Sequence, residues 1–159
     1  MKSPKRQTVG VISDTHGLLR PEVLKVFKGV SLILHAGDIG DPEVLERLRV
    51  LAPVVAVRGN NDRDAWSKRI PEIQTVHAGN AAICMIHDVK ELKDTAALQK
   101  FQAVVSGHSH KPRIEKREGV LFLNPGSAGP RRFKLPISVA RMTIQGAAVH
   151  AEIIELNTA

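Results

Sequence analysis

The chain has 159 residues, of which 43% are hydrophobic, and its formal net charge is +7. This length predicts one domain over residues 1–159 with a sizeable core, and the lack of a long apolar run excludes a membrane-spanning helix. Aromatic residues make up only 3% of the chain, so no stacking surface for single-stranded nucleic acid is expected. The basic charge then indicates either a field that attracts small anionic substrates or an ordinary solvated surface.

Two further features of the sequence concern the cellular compartment. The basic N-terminus leads into a short strand-like run and lacks the apolar helix and cleavage site of a signal peptide. The single cysteine, Cys84, cannot form an internal disulfide, and its place between Ile83 and Met85 indicates a buried core residue. Both features predict a cytoplasmic protein.

The first third of the chain predicts strands that alternate with helices. Short apolar runs rich in β-branched residues indicate strands over residues 7–13, 31–36 and 53–57. Between them, Pro21 and Pro42 each begin a helix, and the apolar residues that follow keep helical spacing. This alternation is typical of a parallel sheet with right-handed crossovers, in which sites gather at the carboxyl ends of the strands.

The remainder of the chain predicts hairpins and one more helix. Apolar runs on either side of a glycine turn indicate strand pairs over residues 72–86, 114–123 and 139–154. A helix is predicted from about residue 91 to residue 100, and a strand follows it over residues 103–107. We therefore expect two sheets packed face to face, with helices outside them, in one domain.

Polar side chains follow the apolar runs throughout this pattern. Asp14 and His16 come directly after the first strand, and extended backbone would point both side chains the same way. The whole set consists of Asp14, His16, Asp38, Asn60, His87, His108 and His110. Two carboxylates, one amide and four imidazoles suit borderline divalent metals and suffice for two ions, which together clamp a phosphate and activate water. Separate turn residues and caps are the alternative, but they do not account for four histidines at strand ends.

In this order, the motifs resemble those of the calcineurin-like metallophosphoesterase superfamily, and within it the small prokaryotic phosphodiesterases. The resemblance covers nearly the whole chain, through Asp14-Thr15-His16, Gly37-Asp38, Gly59-Asn60-Asn61-Asp62, His87, Gly107-His108-Ser109-His110 and Asn124-Pro125-Gly126-Ser127. It implies an α/β fold of the four-layer αββα sandwich type. This fold agrees with the two face-to-face sheets expected from the pattern of elements.

The resemblance also implies a cofactor and a set of site residues. Two divalent ions are implied, with manganese as the first expectation and nickel, iron, cobalt or zinc as alternatives. One ion would be held by Asp14, His16, Asp38 and His110, and the other by Asp38, Asn60, His87 and His108, with Asp38 as the bridge. The implied reaction is in-line attack of a metal-bridging hydroxide on phosphorus, with Asp38, Asn60 and His87 as catalytic residues.

Further candidates lie around this ligand set. Asn61 stands where many family members carry a histidine that assists the leaving group, so we expect Asn61 to contact substrate without acting as an acid. Arg131 is a candidate for holding the substrate phosphate through its planar guanidinium, with a surface role as the alternative. Asp62 and Asp88 are candidates for accepting hydrogen bonds from the ligand imidazoles and so fixing their tautomers, and His35 is a candidate for supporting the ligands from behind. Solvated loop acids and a core histidine are the alternatives for these three.

We predict a metal-dependent phosphoric ester hydrolase, in the first place a phosphodiesterase, that acts on a small phosphorylated substrate. A phosphatase for phosphoproteins or dinucleoside polyphosphates stays open, because specificity depends on cleft walls and loops. A non-catalytic scaffold with the same fold is a further alternative, although such a protein has no need to keep every metal ligand. No specific nucleic acid and no membrane is expected as a partner, and assembly into a homo-oligomer stays open.

Overall fold

A computed structural model describes residues 5–94 and 96–158 of the chain. Within these ranges the chain forms ten strands and two α-helices, in the order β1 Arg6–Ile12, α1 Pro21–Val26, β2 Leu32–His35, α2 Pro42–Arg49, β3 Val54–Ala56, β4 Ile73–Ala78, β5 Ala81–Ile86, β6 Ala103–Val105, β7 Arg113–Arg117, β8 Val120–Asn124, β9 Ser138–Gln145 and β10 Ala148–Glu155. Short 3₁₀ helices cover Ala65–Arg69, Val89–Glu91 and Ala96–Lys100. Among the described residues, no helix has the length and apolar character needed to cross a membrane.

The strands form two mixed sheets of five strands each. The first sheet has the order β10-β9-β1-β2-β3, and the second has the order β4-β5-β6-β8-β7. Each sheet contains three parallel neighbours, β1, β2 and β3 in the first and β5, β6 and β8 in the second. The outer strands pair with them in antiparallel orientation. Six strands therefore contribute parallel carboxyl ends, which is where the sequence places its polar residues.

The layers are held by three groups of buried apolar side chains. The largest group lies between the two sheets and includes Val11 and Met142 of the first sheet and Met85 and Val105 of the second. A second group joins α1 and α2 to the outer face of the first sheet, and a third covers the outer face of the second. Cys84 belongs to the third group and is buried, as predicted. The predicted sandwich of two sheets is confirmed.

The start of α2 shows how the sequence determines a helix boundary locally. Asp41 has extended backbone, and its side chain accepts a hydrogen bond from the Glu43 amide at 2.9 Å, while Pro42 occupies the first helical position. A capping acceptor followed by Pro satisfies the free amides of the first turn without an internal partner. The predicted N-terminus of this helix is therefore confirmed.

The predicted helix over residues 91–100 is wrong. Within this segment, Glu91 ends the short 3₁₀ helix Val89–Glu91, residues 92–94 are not helical, and a second 3₁₀ helix covers Ala96–Lys100. Thr95 of the predicted helix lies outside the described residues. Asp88 accepts a hydrogen bond from the Lys90 amide, and Asp94 accepts one from the Ala97 amide. Each aspartate therefore caps its own turn, which is the local alternative that short acidic side chains offer to a continuous helix. The layer outside the second sheet consequently lacks a continuous helix in this segment.

Candidate metal centre

The loops after β1 and β2 bring two carboxylates and one imidazole together. The amide of Asp14 donates to the Gly37 carbonyl at 2.9 Å, and the amide of His16 donates to the Asp38 carbonyl at 2.9 Å. The two loops thus continue the parallel pairing of β1 and β2 beyond the strands. As a result, Nε2 of His16 lies 4.0 Å from Oδ1 of Asp14 and 3.8 Å from Oδ2 of Asp38.

The second sheet contributes imidazoles to the same place. Nε2 of His87, which follows β5, lies 3.3 Å from Oδ2 of Asp38 and 3.8 Å from Oδ1 of Asp14. His110, which follows β6, brings its Nε2 to 3.4 Å from the same Asp14 oxygen. The two sheets therefore meet at a rim where buried carboxylates face buried imidazole nitrogens.

The described residues form two overlapping groups with the spacing of metal ligands. One group consists of Asp14, His16 and His110, and the other consists of Asp14, Asp38 and His87. In each group, one ligand atom from every residue lies within 4.8 Å of the others. Asp14 belongs to both groups, whereas the sequence hypothesis gave the shared position to Asp38. Asp38 nevertheless lies against both His16 and His87, so either carboxylate is placed to connect two ions.

Asn60 and His108 lie at the open side of the centre. Oδ1 of Asn60 and Nδ1 of His108 are 3.2 Å apart, and the His108 ring packs edge-on against His87 with 5.2 Å between ring centroids. The amide of His108 donates to Oδ2 of Asp14 at 3.1 Å. Asp88 faces the other side of His108, with 3.8 Å between its Oδ2 and the Nε2 of His108. The side chains of Asn60 and His108 both reach solvent, as is expected of groups that contact a substrate.

Asp62 and Asn61 support the ligand loops through their hydrogen bonds. The buried Asp62 carboxylate accepts from the amides of Ile39, Gly40 and Gly59, at 2.9–3.1 Å. It therefore ties the loop after β2 to the loop after β3, whereas the sequence hypothesis gave it an imidazole partner. Asn61 donates to both Asp38 oxygens, from its amide at 2.9 Å and from its side chain at 3.1 Å. Asn61 thus orients a ligand.

His35 lies beneath the ligand loops and is fully buried. The Gly37 amide donates to its Nδ1 at 3.1 Å, so its proton is on Nε2, which donates to the Thr15 hydroxyl at 3.0 Å. The Thr15 hydroxyl in turn donates to the Ile39 carbonyl at 2.8 Å. Burial lowers the pKa of His35 to about 4, although nearby carboxylates, Asp14 first among them, act to raise it. This neutral histidine therefore joins the two loops that carry Asp14 and Asp38.

Several buried ligand atoms have no hydrogen-bond partner among the described residues. They are Oδ1 of Asp14, Nε2 of His16 and Nε2 of His87; on His110 the unpartnered atom is Nδ1, whereas its Nε2 faces Asp14. Buried polar atoms are normally paired, and those at a functional site often await an ion. Because Nδ1 of His87 bonds the Ala36 carbonyl at 2.7 Å, its Nε2 is the nitrogen left for a ligand. The donor set of carboxylates and imidazoles therefore fits divalent cations.

The pKa shifts of Asp38 and His87 at the rim are consistent with a site for divalent cations. Burial acts to raise the pKa of Asp38, but the proximity of His87 and the Asn61 amide outweigh it and lower this pKa to about 2. Burial acts to lower the pKa of His87, but the Asp38 and Asp14 carboxylates outweigh it and raise that pKa. The two carboxylates thus favour positive charge at His87. Metal ligands bind in their deprotonated form, so a cation would supply that charge in place of a proton.

Other residues that hold the site received no role from the sequence. The Ser13 hydroxyl donates to Oδ2 of Asp14 at 2.8 Å. The Asn124 side chain donates to the Gly107 carbonyl and the Ser109 hydroxyl, which anchors the loop that carries His108 and His110. The signals for Asn124 were its place in the Asn124-Pro125-Gly126-Ser127 motif and its position at the carboxyl end of β8. Arg131 is exposed on the loop after the Asn124-Pro125-Gly126-Ser127 turn, and its contact with substrate stays a prediction.

Two depressions open on either side of His108. One has a volume of about 210 Å³, and its lining includes Arg58, Asn60 and His87. The other has a volume of about 230 Å³ and extends over the outer face of the second sheet, where Lys90 and Phe122 contribute to its wall. The lack of a continuous helix outside that sheet leaves this second depression open. The rim therefore has open space on both sides of His108.

Comparisons with known proteins agree with this geometry. The chain is 38% identical to a protein of Methanothermobacter thermautotrophicus named as a probable metallophosphoesterase, with 92% of this chain and 91% of the relative covered. It is 28% identical to a phosphodiesterase of Methanocaldococcus jannaschii, with 74% of this chain and 82% of the relative covered. The fold matches that of Vacuolar Protein Sorting 29 from Cryptosporidium parvum with a TM-score of 0.80, at 25% identity over 96% of this chain and 93% of the other. Residues 8–147 match the sequence model of the calcineurin-like phosphoesterase superfamily domain, and the chain belongs to this superfamily.

Proposed function

We propose that the protein is a phosphodiesterase that depends on two divalent metal ions and hydrolyses a small phosphodiester. The observation that carries this proposal is the buried rim where Asp14 and Asp38 face the imidazoles of His16, His87 and His110 with unpartnered ligand atoms. A relative named as a phosphodiesterase gives further support.

The residues of the rim would hold the ions in two overlapping groups. Asp14, His16 and His110 would hold one ion, and Asp14, Asp38 and His87 would hold the other, with Asn60 and His108 at the open side. Bound divalent ions supply positive charge that stabilises an in-line displacement at phosphorus and lower the pKa of water. All of these ligand atoms are nitrogen or oxygen, and the single cysteine is buried in the core, which favours manganese over metals that need thiolates.

The residues around the ions favour a diester with a stable leaving group. Asn61 donates to both oxygens of Asp38, which fixes the carboxylate in one orientation. Its amide has no proton to transfer near neutral pH, so it cannot serve as a general acid. Hydrolysis then proceeds fastest when the departing oxygen needs no protonation, as in an aryl ester.

The test is hydrolysis of bis(4-nitrophenyl) phosphate by protein stripped with a chelator and reloaded with one metal at a time. We expect turnover with manganese and a loss of about 10³-fold in kcat/KM for Asp38→Asn, which removes a charged ligand and places an amide opposite the Asn61 donors. The exposed Asp64→Asn is the matched control and should stay within twofold of the parent. Inactivity with manganese, nickel, iron, cobalt and zinc alike would contradict the proposal.

A scaffold is the second candidate function, and the fold match to a vacuolar protein sorting protein favours it. This candidate requires no metal, whereas the rim keeps unpartnered ligand atoms from both sheets. Dependence on metal therefore distinguishes the phosphodiesterase from the scaffold. Partner binding that is unchanged after chelation, together with inactivity on every diester tested, would support the scaffold.

A further inference from the structure

The loop over residues 131–135, here called the aromatic loop, presents the most exposed aromatic side chain among the described residues. Its Phe133 is 88% exposed, whereas Phe27 and Phe101 are buried in the core. The chain has only four phenylalanines, one tryptophan and no tyrosine. Exposure of such a ring forfeits the free energy that its burial would contribute. The Phe133 ring is therefore accessible to a ligand.

The backbone holds this ring outward at a conformational cost. The Leu135 amide donates to the Arg132 carbonyl at 3.2 Å and closes a four-residue turn with Phe133 as its second residue. Phe133 has a φ of +55°, in the left-handed region that glycine and asparagine adopt more easily. A bulky residue in this conformation is unusual, and such residues cluster at ligand-binding sites. The turn therefore fixes the direction in which the Phe133 side chain leaves the backbone.

The aromatic loop borders the metal centre. A shallow depression is lined by Ser109, Lys111, Arg132, Phe133, Lys134 and Leu135. Ser109 lies between the ligands His108 and His110, and its hydroxyl is bonded to the Asn124 side chain at 3.1 Å. A molecule whose phosphate lies at the rim can thus extend across Ser109 into this depression.

The charges of the depression specify what it can bind. Three of its lining residues, Lys111, Arg132 and Lys134, are cationic, and none of the described residues that line it is acidic. The remaining surface is the flat, apolar face of Phe133 with Leu135 beside it. A planar ring attached to an anion satisfies both features, because bases stack on aromatic side chains and cations attract the phosphate.

We propose that the aromatic loop binds the nucleoside half of a nucleotide-type phosphodiester, with the base stacked on Phe133. The proposal rests on the phosphodiesterase function for the position of the phosphate, and it names the substrate class of that site. One exposed ring accommodates one base, which suits a mononucleotide ester and not a long single strand.

The test compares the binding of adenosine 5′-monophosphate and ribose 5-phosphate to the manganese-loaded chain by calorimetry. These ligands share the phosphate and the sugar and differ in the base. We expect the parent protein to bind the nucleotide about tenfold more tightly, because stacking on one aromatic side chain is worth about 1–3 kcal/mol by alanine substitution. Phe133→Ala should bind both ligands equally, whereas Phe133→Trp should keep the preference. Val50→Ala, at an equally exposed residue after α2, is the matched control and should keep it too.

The readout is binding, so it is separate from turnover. Failure to hydrolyse any diester together with an intact tenfold preference would refute the proposed function and leave the base site supported. Equal binding of the two ligands by the parent protein, or an unchanged preference in Phe133→Ala, would overturn the base site. A change in sedimentation of Phe133→Ala with an unchanged preference would also overturn it, because the ring would then belong to a contact between copies.

Discussion

Five of the seven candidate ligand residues adopt left-handed backbone torsions. They are Asp14, His16, Asp38, His108 and His110, with φ between +46° and +74°. Such torsions cost about 1–3 kcal/mol each for residues other than glycine, and the surrounding structure must enforce them. The amide bonds between the loops after β1 and β2 provide part of that constraint. These torsions therefore lower the stability of the fold, and they set the direction of the candidate ligand side chains.

The first prediction concerns Asp62. The Asp62 carboxylate accepts hydrogen bonds from three backbone amides. The side-chain amide of Asp62→Asn has one acceptor oxygen fewer and would place an N–H donor against these backbone donors. We expect a loss of about 2–4 kcal/mol in the free energy of unfolding and a tenfold to hundredfold weaker affinity for manganese. Urea unfolding and calorimetric titration measure these quantities. Asp64→Asn is the control, and equal values for the two variants would contradict the role of Asp62.

The second prediction concerns the pH dependence that His35 imposes on stability. Its pKa falls from 6.5 in the unfolded chain to about 4 in the folded protein, so the unfolded chain binds more protons between these values. The contribution of His35 is therefore complete above about pH 6.5 and is lost as the pH falls towards 4, by up to about 3 kcal/mol. His35→Gln does not titrate and should lack this component.

The measurement for His35 is urea unfolding of chelator-treated protein from pH 4 to pH 7. The difference in unfolding free energy between the parent and His35→Gln should shrink as the pH falls. His77 is exposed on β4, so His77→Gln is the matched control and should follow the parent at every pH. A constant difference between the parent and His35→Gln would show that His35 titrates alike in both states.

At the scale of elements, glycines permit the two sheets to meet. A Cβ on Gly107, just after β6, would overlap the Ser13 hydroxyl and lie 2.7 Å from Oδ2 of Asp14. The backbone of Gly107, after β6 of one sheet, thus packs directly against the side chains of Ser13 and Asp14 at the end of β1 in the other. Any side chain at this position would separate the carboxylates from His108 and His110.

The third prediction follows from this contact. We expect Gly107→Ala to lower the affinity for manganese at least tenfold and the unfolding free energy by about 1–3 kcal/mol, because the overlapping groups must move apart. Gly119→Ala, in the turn between β7 and β8, is the control. Its Cβ meets nothing within 4 Å and its φ is +82°, so it should cost about 1 kcal/mol and leave metal affinity unchanged. Parent-like affinity in Gly107→Ala would contradict the close approach.

Elements also show which features the sequence could predict. The parallel strands and the ends that carry Asp14, Asp38, His87 and His108 were predictable, because strand periodicity and local turn signals agree there. The helix over residues 91–100 was not, since its apolar spacing competes with aspartates that cap separate turns. The extended backbone expected at Asp14 and His16 was wrong, because both residues have left-handed torsions that contacts between loops enforce. Local sequence signals therefore predicted which residues lie at the strand ends, whereas contacts between loops determine the backbone geometry of those residues.

At the scale of the whole molecule, the two sheets share one apolar interior and one charged rim. The interior needs only apolar packing, and it is the largest of the three buried groups. At the rim, buried carboxylates of the first sheet face imidazoles of the second, with ligand atoms that lack partners. Uncompensated buried charge destabilises a fold, so a cation at the rim would join the sheets where the protein alone holds them least well.

The fourth prediction is that metal raises the unfolding midpoint of the whole domain and not only its activity. A ligand that binds only the folded state stabilises it by about 2.7 kcal/mol at a hundredfold excess over Kd, which is about 5–10 °C for a chain of this size. Calorimetric scans with chelator and with increasing manganese should therefore show a midpoint that rises with the logarithm of metal concentration. Asp38→Asn should show a smaller rise, because it removes a carboxylate that lies 3.3 Å from His87. A midpoint independent of metal would mean that no ion joins the two sheets at this rim.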